Sequence, residues 1–290
     1  MPLFLQALPL SLKTFWRYLA ILPALGIVAA LLLLATFIPV VGFFVPGMVY
    51  AYCILTGFRC ALGARGHDTD PGFGYLLTAG LTFSVLTMIV GFIVRYLAGY
   101  LSAGIMLALR AADLGSAGTG SALLWLGSAI GLTVIFMLVW SAALAVPMIA
   151  AVAGNGRDGT GLHPLRGVGT GIFGLTLIAF VWLIGGNMFA VFGEVATMFF
   201  LLIETIRAVT NAEDPAWDWS LSPFSLLGGT LWMAWASSWF FSAAVLYWER
   251  QTAREAASQR ARIEARRVSG DDLRALREGR MQRGSDQQAP

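Results

Sequence analysis

Charged side chains are scarce in this sequence, at 12% of its 290 residues. Soluble globular domains carry about a quarter, so the composition excludes an ordinary soluble domain. Hydrophobic residues make up 58% of the chain, and the mean hydropathy is +0.74. These values are typical of a chain that lies largely within a membrane.

Residues that carry chemistry are also few. Cys53 and Cys60 are the only cysteines, and two helical turns between them rise about 10 Å, too far for a disulfide. His67, Asp68 and Asp70 are metal-ligand types in one short stretch, but a solvated loop is the favoured interpretation. The H-E-x-x-H, G-x-S-x-G and P-loop patterns are absent. We therefore predict no catalytic residue, no cofactor and no metal, and we favour a non-enzymatic protein while the enzyme alternative stays open.

Glycines form two short patterns. Residues 154–159 read G-x-G-x-x-G, but a predicted membrane helix rather than a strand precedes them, so we predict a flexible loop and not a dinucleotide site. Further on, small-xxx-small spacing predicts close helix packing where the fifth predicted helix opens. The glycines of this second pattern are Gly167, Gly169, Gly171 and Gly174.

Long apolar runs occupy most of the chain. A helix rises about 1.5 Å per residue, so about 20 apolar residues cross a hydrocarbon layer about 30 Å thick. Between Lys13 and Arg65, two such runs are separated by prolines and glycines, which predicts a transmembrane hairpin. We predict an all-α, polytopic transmembrane helical bundle of about six spans in three hairpins (residues 1–248), followed by a short cytoplasmic tail. The predicted spans are 18–38, 45–63, 78–108, 122–150, 168–191 and 224–248, and the arginine-rich tail, 249–290, is partly helical or disordered.

The distribution of cations predicts the orientation. Residues 1–248 hold nine Lys+Arg and nine Asp+Glu, whereas residues 249–290 hold ten Arg and seven acids. With six spans, every cation-rich segment falls on one side, as the positive-inside rule requires, and both termini are cytoplasmic. Val195–Ile206 is short for a seventh span, so we interpret it as an extension of the fifth helix or as a helix at the outer interface. No basic face is interleaved with aromatics, so we predict no nucleic-acid partner.

The segment around the first hairpin carries a resemblance. The run Ile38–Gly42 (IPVVG), followed by Pro46-Gly47 and by Gly57-Phe58-Arg59, resembles a pattern of bacterial multi-span inner-membrane families that are classed as domains of unknown function. The likeness covers mainly residues 12–75. It implies a helical fold in a bacterial inner (plasma) membrane and no catalytic residues.

One charge falls inside a predicted span. Arg95 lies about halfway along the third span, where a cation without a partner is costly. Glu194 is the best-placed acid and Glu204 the second choice, so we predict an intramembrane charge pair between Arg95 and one of them. Two interpretations are open: an interhelical pair that holds the bundle together, and a solute or proton pathway.

The tail offers a second candidate site. Anionic headgroups attract juxtamembrane cations by about 1 kcal/mol each, so we predict lipid or partner contacts for the first six arginines of the tail. Residues 269–272 fit a capping box that opens a short helix ending at Gly279, with two leucines on one small apolar face. The residues concerned are Arg250, Arg254, Arg260, Arg262, Arg266, Arg267, Leu273 and Leu276.

Two functions from different classes follow. The first, which we favour, is a scaffold or an assembly or accessory factor of a membrane complex, with the lipid bilayer and a membrane-protein partner as its contacts. The second is a small-solute transporter or channel-like protein with Arg95 in the pathway. A water-accessible cavity that reaches Arg95 is the feature that separates them.

Overall fold

A computed structural model describes residues 2–67, 73–111, 119–154, 164–211 and 223–286 of the chain. Every element in these ranges is helical, which confirms the all-α prediction. The helices in chain order are α1 (Leu3–Gln6), α2 (Leu8–Leu34), α3 (Pro39–Arg65), α4 (Phe73–Ala111), α5 (Thr119–Val152), α6 (Ile172–Asn211) and α7 (Pro223–Asp286), with a 3-10 turn (Ala35–Phe37) between α2 and α3.

Several of these helices have the length and composition to cross a membrane. Within the described residues, four apolar stretches are long enough, and Ile172–Met188 is a shorter apolar stretch. The four are Leu8–Leu34, Gly47–Arg65, Gly74–Ile105 and Gly127–Val152. They support a membrane-embedded helical protein, and they overlap the first four predicted spans.

The helices extend beyond the predicted spans. Helix α2 begins at Leu8, ten residues before the predicted span 18–38, so that residues 8–17, which include Lys13 and Arg17, belong to the same helix. Helices α4 and α6 have 39 and 40 residues, or about 60 Å each, which is twice the thickness of a hydrocarbon layer. Val195–Ile206 lies within α6. This segment therefore extends the fifth predicted helix and is not a separate helix.

The chain divides into two compact units, Met1–Tyr247 and Trp248–Pro290. In the second unit the predicted capping box at residues 269–272 and the predicted helix end at Gly279 are wrong, because α7 is helical through both positions to Asp286. Alanine, arginine, glutamate and glutamine surround them and are strong helix formers, whereas a single glycine costs only about 1 kcal/mol.

Helix α3 is central to the first unit, where it contacts α2, α4 and α5. Its Phe58, which is fully buried, also meets Phe241 of α7 edge to face, with ring centroids 5.1 Å apart. Tyr18 of α2 also packs edge to face with Phe241, with ring centroids 5.5 Å apart. We call Tyr18, Phe58 and Phe241 the aromatic cluster. Gly57 makes room for it, since a Cβ at this position would overlap the Phe241 ring.

Polar contacts also join helices that are distant in sequence. Each satisfies a hydroxyl or indole group that would otherwise be costly in an apolar environment. The contacts are Thr14 Oγ1 to Ser242 Oγ (2.9 Å), Tyr50 Oη to Ser141 Oγ (2.9 Å), the Trp182 indole N–H to Ser237 Oγ (3.1 Å) and the Trp239 indole N–H to the Phe4 carbonyl (2.7 Å). They connect α1, α2 and α6 to α7, and α3 to α5.

The glycines before α6 form a turn and not the start of the helix. Gly167, Gly169 and Gly171 have positive φ angles between 74° and 85°, which favour glycine, and α6 begins only at Ile172. The prediction that these residues open the helix is therefore wrong. Close packing is nevertheless present, because a Cβ at Gly171 or Gly174 would meet the Tyr247 side chain of α7.

Gly57→Ala is expected to destabilise the first unit. The added methyl group would displace the buried Phe241 ring, and overpacking of this kind costs about 1–3 kcal/mol. Thermal unfolding in mild detergent measures the effect. The matched control is Gly26→Ala in α2, where a Cβ would meet nothing within 4 Å, and the double variant Gly57→Ala, Phe241→Leu should regain part of the loss. Equal melting temperatures for Gly57→Ala and Gly26→Ala would contradict the packing.

Candidate functional site

A cavity of about 620 Å³ lies between α2, α3 and the start of α4. This volume is within the range of small-molecule sites, about 300–1,000 Å³. Both cations and aliphatic side chains line the cavity. The lining residues are Arg17, Ala20, Ile21, Tyr52, Leu55, Thr56, Arg59, Cys60 and Leu76.

The polarity of the cavity changes along its length. On α2, Ile21 is one turn closer than Arg17 to the α2–α3 connection. On α3, Leu55 is one turn closer than Arg59 to the same connection. The two arginines therefore lie at the end of the lining that is farther from the connection, and Ile21, Leu55, Thr56 and Tyr52 lie nearer to it.

The aromatic cluster positions both arginines. Arg17 precedes Tyr18 and Arg59 follows Phe58 in the sequence, and both rings pack against Phe241 of α7. Each arginine is thus an exposed neighbour of a buried ring. Because the rings fix the level of α2 against α3, the two guanidinium-bearing residues are brought to one cavity.

The Arg17 side chain reaches toward α3. A Cβ built at Gly63 would lie 2.9 Å from Arg17 Nη1, so the guanidinium lies over this glycine, one turn beyond Arg59. Among the residues that the structure describes, the charged members of the lining are Arg17 and Arg59. An arrangement of this kind attracts phosphate or carboxylate groups.

Neither Arg17 nor Arg59 was predicted from the sequence to be a site residue. One feature of the sequence would have singled them out: each lies 21 residues from Ile38, the residue that joins the 3-10 turn to α3. In a helical hairpin, residues at equal distance from the turn reach the same level. The equal spacing therefore predicts that the two arginines lie at the same level of the hairpin.

Arg95 is exposed and does not line this cavity. The next two tyrosines along α4, Tyr96 and Tyr100, are also exposed, at 68% and 61%. Their hydroxyl groups are 2.9 Å apart. Arg95 lies close to the middle of α4, which has 39 residues and is longer than one membrane crossing. The prediction that Arg95 lies halfway along a membrane span stays a prediction.

Glu194 and Glu204, the two acids predicted to pair with Arg95, differ in what the structure describes of them. Glu204 forms an ion pair with Arg207 at 3.8 Å on the same helix, and both side chains are largely exposed. Glu194 belongs to α6 by its backbone, and its side chain lies outside the described part of the structure. The pair between Arg95 and Glu194 stays a prediction.

The tail residues are described in part. Arg250, Arg254, Arg260 and Arg262 are exposed on α7. The side chains of Arg266, Arg267, Leu273 and Leu276 lie outside the description.

Among described residues, no group of three His, Cys, Asp or Glu side chains is placed to hold a metal ion, and Cys53 and Cys60 are free thiols. Asp68, Asp70 and residues 155–159 of the glycine pattern lie outside the described residues.

No family model, curated protein or solved structure matches this chain. The resemblance of residues 12–75 to inner-membrane families therefore transfers no residue role to the cavity. The site is defined by its own geometry.

We expect weak coupling between Arg95 and Glu194. Arg95 is exposed, and exposed ion pairs contribute about 0.2–1 kcal/mol. A double-mutant cycle of Arg95→Ala and Glu194→Ala, read by unfolding in detergent, should give a coupling free energy in that range. The matched cycle of Arg95→Ala with Glu204→Ala should be additive, because Glu204 pairs with Arg207. If the changes in unfolding free energy are additive in both cycles, the predicted pair between Arg95 and Glu194 is contradicted.

Proposed function

We propose that this chain is a multi-pass membrane protein that acts as a non-enzymatic scaffold or accessory factor of a membrane complex, with its tail as the docking element. The observation that carries the proposal is the polar tail helix beyond Tyr247. It belongs to a unit of its own, and its described side chains from Ala253 to Glu264 are exposed, apart from the partly covered Glu255. A helix that is polar all round has no apolar face to bury.

The composition of the tail supports docking through charge. Its ten arginines and seven acids leave it cationic, and Ile263 is its one bulky apolar residue between 249 and 264. The helix is held by local polar contacts such as the amide of Gln251 donating to Glu255 Oε1 at 3.0 Å. An anionic surface of a membrane-protein partner is the complement that we propose.

We further propose six spans in three hairpins. In this proposal the hydrocarbon layer lies between two planes, which we call levels: Arg17 and Arg59 mark the first level, and Phe37 and Pro39 mark the second. Twenty residues separate Arg17 from Phe37, and twenty separate Pro39 from Arg59. Each interval is about 30 Å of helix, the thickness of the hydrocarbon layer. On α4, nineteen residues separate the cavity residue Leu76 from Arg95, which is again about 28 Å.

From these intervals we propose that Arg95 lies at the second level, with Phe37 and Pro39, and not at the membrane centre. Arginine and tyrosine are favoured at membrane interfaces, which fits the neighbouring Tyr96 and Tyr100. Helix α4 continues for sixteen residues beyond Arg95, to Ala111, or about 24 Å. The α4 end therefore projects past the hydrocarbon layer. The pathway alternative through Arg95 has no supporting observation among the described residues.

Cation counting sets the proposed orientation. The cation-rich flanks and loops and the ten tail arginines fall on one side of six spans, and the positive-inside rule makes this side cytoplasmic. By the resemblance of residues 12–75, we propose the bacterial inner membrane as the location.

Reporter fusions test the topology. Fusions after Arg65, Arg157 and Arg250 should all give a cytoplasmic signal, and a fusion at Asp214 should give an external one, because each pair of spans returns the chain to the same side. An alkaline phosphatase and a fluorescent-protein reporter at each site serve as mutual controls. An external signal at Arg250 would mean an odd number of spans and would contradict the proposal.

Truncation tests the docking role. Removing the residues after Glu249 should leave membrane insertion and the melting temperature unchanged, while a protein that copurifies with the full chain in mild detergent is lost. Replacing Arg250, Arg254, Arg260 and Arg262 by Gln should weaken copurification, whereas Lys at the same positions should retain it, since the charge is kept. Truncation that lowers the melting temperature of the bundle would show that the tail supports its own protein, and the docking role would fail.

A further inference from the structure

We infer that α6 carries a dimer interface, a face of the apolar stretch Ile172–Met188 that binds the same face of a second copy of this chain. The interface is separate from the arginine-lined cavity and from the tail. From the proposed function it takes only that α6 crosses the membrane, which reporter fusions test separately. The inference rests on the spacing of the exposed residues, on the position of Asn187 among them and on the chemistry of its carboxamide.

The apolar stretch of α6 has a packed side and an exposed side. The packed side lies against α7, through Gly174, Trp182 and Gly185. The opposite side of the helix faces away from the bundle to which α6 belongs. Its large apolar residues are exposed, namely Phe173 (90%), Leu177 (49%), Ile184 (56%) and Met188 (51%).

The exposed side has the spacing of a contact between two helices. Phe173, Leu177, Phe180, Ile184 and Asn187 follow one another at intervals of four, three, four and three residues. Residues repeated in this way, at about 3.5 per turn, line the contact between two helices that cross with a left-handed twist. Most helix pairs in membrane bundles cross with this hand. We call these five residues the α6 seam.

Asn187 is the polar member of the seam, and it is exposed. Its amide nitrogen donates one hydrogen to the Leu183 carbonyl at 2.8 Å, one turn back on the same helix. A carboxamide also has a second N–H and an acceptor oxygen, and neither has a partner among the described contacts. In an apolar environment such groups are costly without a hydrogen bond. The seam therefore favours an occupant that offers both a donor and an acceptor.

A second copy of the chain meets this requirement by symmetry. Two copies in one membrane have the same orientation, so a two-fold axis along the membrane normal makes their α6 helices parallel and brings the same seam residues together. The second N–H of each Asn187 then donates to the carboxamide oxygen of the other copy, and both amides are satisfied. A lipid acyl chain covers the apolar members of the seam, but it offers neither a donor nor an acceptor to the amide. A polar residue in a seam also fixes the register of the two helices.

Disulfide cross-linking of the full chain in liposomes tests where the interface lies. In a background with Cys53 and Cys60 replaced by Ala, Ile184→Cys should form a cross-linked dimer, because the two copies of a seam residue face each other. The matched control is Ile89→Cys in α4, whose side chain is exposed to nearly the same extent, 53% against 56% for Ile184. It should give about tenfold less dimer at the same protein density. Equal cross-linking at the two positions would mean random collision and would overturn the interface.

Substitution of Asn187 tests the amide pair. Asn187→Leu should raise the dissociation constant of the dimer in liposomes about tenfold, because two interhelical hydrogen bonds are lost and each is worth about threefold or more in affinity. Energy transfer between labelled copies measures this constant. Asn187→Gln keeps a carboxamide and should lose less. The Leu variant should fold normally, since an apolar side chain suits an exposed position of this stretch, and an unchanged melting temperature in detergent checks this.

Two results of these measurements would overturn the inference. Unchanged association in Asn187→Leu would show that the amide pair does not hold the dimer. A chain that remains monomeric in liposomes at every density, while Ile184→Cys cross-links to another protein in native membranes, would assign the α6 seam to a different partner, and the dimer would fail.

Discussion

The contact of Phe241 with Tyr18 and Phe58 is the interaction on which the arrangement of the first unit depends. It joins three helices, α2, α3 and α7, that come from opposite ends of this unit. Within an apolar solvent the hydrophobic effect does not hold helices together, so close packing and interhelical hydrogen bonds must do so. Gly57 permits the packing by leaving room for the Phe241 ring, and the contact between Thr14 and Ser242 adds a buried hydrogen bond nearby.

The same cluster links packing to the candidate site. Because Arg17 and Arg59 adjoin its rings in the sequence, aligning the rings also aligns the cations at one cavity. A structural requirement, the tight seam between α2 and α3, thus produces a binding geometry. Positions along α3 and α4 can be measured from the level of the two arginines, and on that measure we propose an interfacial position for Arg95.

Much of the fold could be predicted from the sequence, because hydropathy and helix length are local properties. The apolar runs around α2 to α5 indicated membrane-length helices, and the structure has them. Helix ends were harder: residues 8–17 joined α2, and α7 passed through Gly270 and Gly279, since propensity outweighed the local stop signals. The turn at Gly167–Gly171 was also missed, since small-residue spacing does not distinguish a helix from a left-handed turn.

The site was less predictable than the fold, because it depends on contacts between distant residues. Arg95 attracted attention by its place within an apolar run, yet it is exposed and lies apart from the cavity. Arg17 and Arg59 looked like ordinary flanking cations. The structure shows that both line one cavity, and their equal distance from Ile38 already indicated that they lie at the same level.

A depth profile along α4 tests the central claim, that the hydrocarbon layer lies between the level of Arg17 and Arg59 and the level of Arg95. Single spin labels at exposed α4 positions, in a background with Cys53 and Cys60 replaced by Ala, report depth through collisions with oxygen and with a polar nickel complex. The label positions are Leu77, Leu81, Ile89, Ile93, Leu97, Leu101 and Ile105. The account predicts the greatest depth between residues 81 and 89, with Leu101 and Ile105 accessible to the polar reagent. A maximum between residues 93 and 101 would place Arg95 inside the membrane and contradict it.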